Sequence, residues 1–171
     1  MFYVFVYLVA VVAANLSVAY FGPQATIVNA FLLIGLDLST RDKLHELWHN
    51  DRLWLRMFGL ILTGSVITVV LNAGAWQIAL ASTVAFAAAA LCDALVYQAL
   101  YRRHRLVKMN GSNLLSAAVD SVLFPAIAFG FPLMWPIMFG QFAAKVMGGA
   151  LWSLVLFKTM KPQPGEMVVV E

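Results

Sequence analysis

Six apolar stretches, each closed by polar or turn-forming residues, run along this chain: approximately Phe2 to Tyr20, Gln24 to Leu38, Leu53 to Leu71, Ala75 to Tyr101, Leu114 to Phe131 and Pro136 to Phe157. A helix needs roughly 20 apolar residues to cross the hydrocarbon core of a bilayer, about 17 to 25 in practice, and only the second stretch is short of that. Gly22-Pro23 closes the first stretch and Asn72-Ala73-Gly74 the third, while the turn Gly130-Phe131-Pro132-Leu133-Met134-Trp135 parts the last two. The pattern predicts an all-α integral membrane protein built as a bundle of six transmembrane helices.

Composition agrees, since 63% of the residues are hydrophobic and 11% charged, against roughly a quarter charged in soluble domains. Mean hydropathy is +0.86. Nothing linker-like divides the chain, so a single transmembrane domain is expected over 1–160, with a short cytoplasmic tail at 161–171. The first stretch lacks a basic segment before it and a convincing cleavage site, and is read as a retained first helix.

Charge sets the orientation. Arg41, Lys43, Arg52 and Arg56 follow the second stretch, Arg102, Arg103, Arg105 and Lys108 follow the fourth, and Lys158 and Lys161 follow the sixth. The connections after the first, third and fifth carry no Lys or Arg. Positive charge stays on the cytoplasmic side, so both termini and both basic loops are expected there, in a multi-pass protein of the cytoplasmic (inner) membrane. The same clustering beside apolar spans accounts for the net charge of +3 without any direct role in nucleic-acid binding. The lone Cys92 has no disulfide partner and no neighbouring Cys or His for a metal site.

The first basic loop has a pattern of its own. Ser39 and Asp42 suit a helix start, and Leu44, Leu47, Trp48 and Leu55 form a rough apolar stripe, so the loop reads either as an amphipathic helix at the membrane surface or as a solvated basic loop anchored by its Trp. Within it, His45-Glu46-Leu47-Trp48-His49 matches H-E-x-x-H. In a metalloprotease two such imidazoles bind zinc and the Glu activates water, but a catalytic zinc needs a third protein ligand and an open position. The remaining histidine, His104, lies in the other basic loop. A membrane zinc protease is therefore the lesser alternative, and no cofactor or metal is expected.

The polar positions inside the apolar stretches carry more chemistry. Asp37, Asp93, Asp120 and Lys145 are the charges in or at the ends of these stretches, and an ionisable group in hydrocarbon marks a ligand or ion pathway by default. Asn113, Ser116, Ala117, Asp120, Ser121 and Phe124 share a helical face by the i, i+3, i+4, i+7 rule. A carboxylate accepts paired N–H bonds, an amide donates and accepts, and hydroxyls adapt, so this face suits a flat polar molecule. The hydroxyls serve equally well as hydrogen-bonding glue between helices. On the sixth stretch Gln141, Lys145, Gly148, Gly149 and Trp152 share a face, with Lys145 near the midplane and too deep to snorkel. It needs a partner, and Asp120 on the adjoining stretch is the first candidate, ahead of Asp93. Such a lysine forms a structural ion pair, donates to a substrate, or exchanges partners during transport. Asp93 and Tyr97 stand one turn apart, with Tyr97 either an aromatic wall or an interfacial anchor. Asn15 is the attractive polar residue of the first stretch, and Asn29 lies on the polar side of the second.

Four segments together are familiar: Ala14-Asn15-Leu16-Ser17-Val18-Ala19-Tyr20-Phe21-Gly22, Leu36-Asp37-Leu38-Ser39-Thr40-Arg41-Asp42, Gly111-Ser112-Asn113 through Asp120-Ser121 to Ile127-Ala128-Phe129, and Gln141 to Lys145-Val146. They resemble the VUT family, first described as vitamin uptake transporters and now associated with queuosine precursor transport. The resemblance implies six transmembrane helices and non-enzymatic uptake of a 7-deazaguanine, such as 7-cyano-7-deazaguanine or 7-aminomethyl-7-deazaguanine, destined for tRNA modification. It marks Asn15, Asp37, Arg41, Asn113, Asp120, Ser121 and Lys145 as the family-like positions. The expected substrate set is then Asn15, Asp93, Tyr97, Asn113, Ser116, Asp120, Ser121, Gln141 and Lys145, with Asp37 and Arg41 as a cytoplasmic gate or anchor. Partners expected are the deazaguanine, the lipid bilayer and, through Gly and Ala faces, a second copy in a homodimer. Because the chain has no P-loop pattern, a substrate-capture subunit of an ATP-driven importer stands as the close alternative.

Overall fold

The computed structural model describes residues 2–37, 40, 44, 47–48, 52–100 and 105–159. Within them the chain forms six helices: α1 (Phe2–Phe21), α2 (Ala25–Asp37), α3 (Leu53–Leu71), α4 (Trp76–Ala99), α5 (Arg105–Phe129) and α6 (Trp135–Thr159). No strand occurs among the described residues. Phe2–Phe21, Leu53–Leu71, Ala73–Val96 and Gly111–Phe129 are long and apolar enough to cross a membrane. The helix α6 is 25 residues long but carries Gln141, Lys145 and glycines among its apolar residues, and α2 is a shorter apolar helix.

Helix ends follow local chemistry. Gly22 takes a left-handed φ of 77° and its N–H reaches the Val18 carbonyl at 2.9 Å, ending α1 just before Pro23 forbids continuation. At the α3–α4 junction the Asn72 side chain accepts from the Gly74 N–H at 3.0 Å, and a single 3₁₀ turn over Ala73–Ala75 leads into α4. Gly130, at φ 73°, ends α5.

The large apolar side chains are distributed inside out. Phe2, Phe5, Val66, Val70, Leu95 and Phe139 are exposed, as suits surfaces whose solvent is lipid tails rather than water. On α1 the buried positions are Tyr7, Ala10, Val11, Ala14, Asn15 and Val18, one stripe at helical spacing. Tyr7 and Val11 join Leu44, Met57, Leu60, Ile61 and Phe86 in the main apolar core between α1, α3 and α4. Along α4 the buried row Ala81, Ala85 and Ala89 repeats every four residues, and α4 and α5 share the most extensive contact in the bundle. Small residues allow that approach.

The helices α2 and α6 approach even more closely. The middle of α2, Ala30–Ile34, is wound as a π-helix, and the widened turn sets the Phe31 carbonyl against the backbone of Gly148. A Cβ on Gly35 would stand 2.7 Å from the Gly148 carbonyl carbon, and one on Gly140 would stand 2.7 Å from Ile27 Cδ1. At Gly35 and Gly148 the close atoms are backbone, so no side chain fits there, while at Gly140 the Ile27 side chain would have to move. Lys145 lies between Gly140 and Gly148 on α6, so the seam positions the stretch of backbone that carries it.

Of the first basic loop, Thr40, Leu44 and Leu47 are helical. Leu44 is buried in the apolar core, Leu47 is exposed, and Trp48 packs on the core beneath the Arg56 guanidinium, 5.5 Å from its ring centre. Arg41, His45, Glu46 and His49, and the tail 161–171, lie outside the described residues.

Candidate functional site

The polar groups of five helices meet in one place. A narrow cavity of about 30 Å³ is bounded by Asn15 of α1, Asn29 of α2, Ser82 of α4, Asp120 of α5 and Gln141 and Lys145 of α6. A second recess of about 10 Å³ shares Asp120, Lys145, Ile34 and Phe86 with it and continues toward Ser116 and Asp37. Together they make a polar seam through an otherwise apolar bundle. One water needs roughly 10–15 Å³ of such space. The seam therefore has room for a few waters in this conformation and none for a bicyclic base.

At its centre the Lys145 ammonium donates to Asp120 Oδ2, and at 3.5 Å to Gln141 Oε1. Lys145 is 3% and Asp120 6% exposed. Removing both charges from water costs several kcal/mol per ion, and their attraction roughly offsets that. Such a pair is weak evidence for stability and good evidence for a site. Its remaining valences support this, since Asp120 Oδ1 and Gln141 Nε2 are buried with no hydrogen-bond partner among the described residues. Buried polar atoms are nearly always satisfied, so these two ask for a ligand or water.

The neighbouring polar groups are held by one another. The Asn29 amide donates to the Ala14 carbonyl at 3.2 Å and to Ser17 Oγ at 2.5 Å, pinning α2 to α1. The Asn15 amide donates to Thr68 Oγ1 of α3 at 3.4 Å, and Thr68 itself donates to the Gly64 carbonyl at 2.8 Å. Pro125 sits inside α5 and is fully buried. Lacking an N–H, it leaves the carbonyl of Ser121, the residue next to Asp120, without its usual helical donor. The Ser121 hydroxyl also has no partner among the described residues.

The expected site residues divide in two. Asn15, Asp120, Gln141 and Lys145 line the cavity, and Ser116 and Asp37 border the recess. Lys145 pairs with Asp120 rather than Asp93 because α5 and α6 are adjacent, whereas Asp93 lies on α4 about two turns beyond Phe86. Asp93 is half-buried and lines neither space, although its Oδ1 lacks a partner among the described residues. Ser121 is buried but outside both linings. Asn113 is exposed, and Ser112 is buried in its stead. Tyr97 is on α4, with its side chain not among those described.

Thr26, Ser82 and Phe86 belong to the lining without having been singled out from sequence. Thr26 and Asn29 share a face of α2 with Asp37, a signal weakened by the shortness of that stretch and by the π turn. Ser82 is one hydroxyl in an Ala-rich run, with nothing in its spacing to distinguish it from packing. Phe124, on the same face of α5 as Asp120, lies on the cavity wall.

Among the described residues no group of three or more His, Cys, Asp or Glu side chains is placed to hold a metal. No curated protein and no solved structure matches the chain. The family described as "Putative vitamin uptake transporter" does, over residues 1–158. That match runs from α1 into α6 and takes in every residue lining the cavity, and the chain belongs to the vitamin uptake transporter family.

Proposed function

We propose that this protein is a non-enzymatic carrier that imports a 7-deazaguanine, 7-cyano-7-deazaguanine or 7-aminomethyl-7-deazaguanine, across the inner membrane. The buried Asp120–Lys145 pair, with an unmet acceptor beside it, carries the reading. A guanine-type base presents N1–H and its exocyclic amine side by side, and a carboxylate accepts both. Each hydrogen bond to a charged group contributes about 1.5–3 kcal/mol, enough for two of them to hold a small planar ligand. Phe124 and Phe86 stand on the same cavity as stacking surfaces. In this reading all six helices cross the membrane with both termini cytoplasmic, Asp37 and Arg41 guard the cytoplasmic end, and the narrow cavity is the closed form of an alternating-access cycle. Opening requires α2 and α6 to part along their glycine seam.

Purified protein is expected to gain thermal stability from the two 7-substituted deazaguanines and less from guanine, with no gain from unrelated vitamins. If neither deazaguanine raises the melting temperature, the substrate assignment is wrong. Uptake into proteoliposomes containing this chain alone marks it as a complete carrier, whereas binding without uptake marks a capture subunit that depends on an energising partner.

A further inference from the structure

Gln141 is 2% exposed and bonded through its carbonyl oxygen to the Lys145 ammonium. An amide can turn over, exchanging its oxygen for its NH₂, and most glutamines are free to do so. This one is not, because an ammonium has three donors and no acceptor and tolerates only the oxygen side. Asp120 in turn holds the ammonium, and α6 is seated on α2 by glycine contacts on both sides of Lys145. The Gln141 amide therefore has one direction, with its NH₂ turned away from Lys145. That group and Asp120 Oδ1 are buried without partners among the described residues, on two side chains that line the same cavity and share one ammonium.

We infer that Gln141 is the specificity-determining residue of this site: it donates to a ligand carbonyl while Asp120 accepts from the adjacent ligand N–H, and Lys145 acts as the lock that sets the direction of the amide. The ligand class is then a planar heterocycle with a cis-lactam edge, N–H beside C=O. A heterocycle with an amidine edge, ring nitrogen acceptor beside an amino group, meets donor with donor and acceptor with acceptor. The inference rests on the deazaguanine reading for its probe but concerns a different residue. In this arrangement Lys145 is assigned the lock and not the carbonyl, two of its three donors being directed at Asp120 and Gln141.

The test uses two bases that differ only at this edge, 7-cyano-7-deazaguanine and 7-cyano-2,6-diamino-7-deazapurine, titrated into the full-length protein in detergent. Wild-type protein is expected to favour the lactam by about a hundredfold or more. Gln141→Glu places an acceptor where the donor stood and should abolish or reverse that preference, while Gln141→Leu weakens lactam binding and gains nothing for the amidine. Lys145→Arg, another pure donor, should keep the preference, and Lys145→Met should lose it by freeing the amide. Full lactam preference in Gln141→Glu or Gln141→Leu overturns the inference. A readout without ligand separates it from the substrate reading: the side-chain carbonyl carbon of Gln141, in protein labelled at glutamine and assigned by its loss in Gln141→Leu, should move in Lys145→Met and hold in Lys145→Arg. An unmoved signal in Lys145→Met means there is no lock. Wild-type protein that binds neither base overturns the deazaguanine reading, and the carbon signal then judges the lock by itself.

Discussion

Among the described residues, a roomy apolar space and the space that holds the buried ion pair are different places. Between α1, α3 and α4 lies an apolar chamber of about 220 Å³, walled by residues such as Tyr7, Trp54, Met57, Ile61 and Leu91. Across Phe86, which borders both, the polar cavity measures about 30 Å³. A void beside lipid-facing residues costs little, because acyl tails are as apolar as the side chains they touch. The polar cavity is small for a reason too: the ion pair draws α5 and α6 together while the glycine seam draws α2 onto α6. Room alone does not mark a site here; unmet hydrogen-bonding groups do.

The comparison breaks first if the ion pair proves dispensable. Lys145→Met or Asp120→Leu leaves one buried charge without its partner and should lower stability by about 3–5 kcal/mol, read as a drop in the detergent unfolding midpoint. The double variant Asp120→Leu/Lys145→Met should recover most of that loss, because no buried charge remains. Both variants that carry Asp120→Leu should fail to bind a deazaguanine, because the acceptor for the base is gone. Single variants as stable as wild type would mean that the charges are solvated, and that the two spaces differ less than their linings imply.

A smaller effect is expected where the two spaces meet. Phe86 is 8% exposed and is the wall common to both. Truncation in Phe86→Ala merges them and should cost about 3 kcal/mol, the low end for a buried phenyl because an existing void adjoins it. Equilibrium unfolding measures the loss. A neutral result would show that the ring is not a packed divider.

How much of this contrast could be read from the chain is clear from individual helices. The third apolar stretch and α3 share the bounds Leu53–Leu71, since turn-forming residues close the stretch and hydropathy falls where the helix stops. The helix α5 instead begins at Arg105, well before the apolar stretch at Leu114, because a helix continues past the hydrocarbon while hydropathy reports only the part within it. The π turn at Ala30–Ile34 left no mark, having no Gly or Pro to announce it, and it is what sets Phe31 on Gly148. For the site, an intramembrane lysine demanded a partner and helix adjacency selected Asp120. Helical spacing grouped Asn113 with Asp120, yet Asn113 is exposed. Periodicity gives a direction around the helix and says nothing of which neighbour covers that height.

The glycine seam makes the next test. A methyl at Gly148 would meet the Phe31 carbonyl, so Gly148→Ala should cost about 1–3 kcal/mol by overpacking. Gly59 on α3 has nothing within 4 Å of the same position, so Gly59→Ala should be stabilising by up to about 1 kcal/mol through helix propensity alone. Opposite signs in the two unfolding midpoints would show that the closeness of α2 and α6 is particular to the polar side of the bundle.

The smallest effect expected is the one that most directly separates the two spaces. Ala90 borders the apolar chamber and not the polar cavity, so Ala90→Val adds two methyl groups to existing room. The added apolar contact replaces contact with lipid tails of the same chemistry, so stability should change by less than about 1 kcal/mol. Deazaguanine affinity should stay within about twofold of wild type, since 1.4 kcal/mol is needed for each factor of ten and nothing at Asp120 or Gln141 has moved. A tenfold loss of affinity at unchanged stability would instead make the chamber part of the binding cycle, as space that the Phe86 ring must occupy when a base displaces it. The division between an inert apolar void and a reactive polar one would then fail at the residue that borders both.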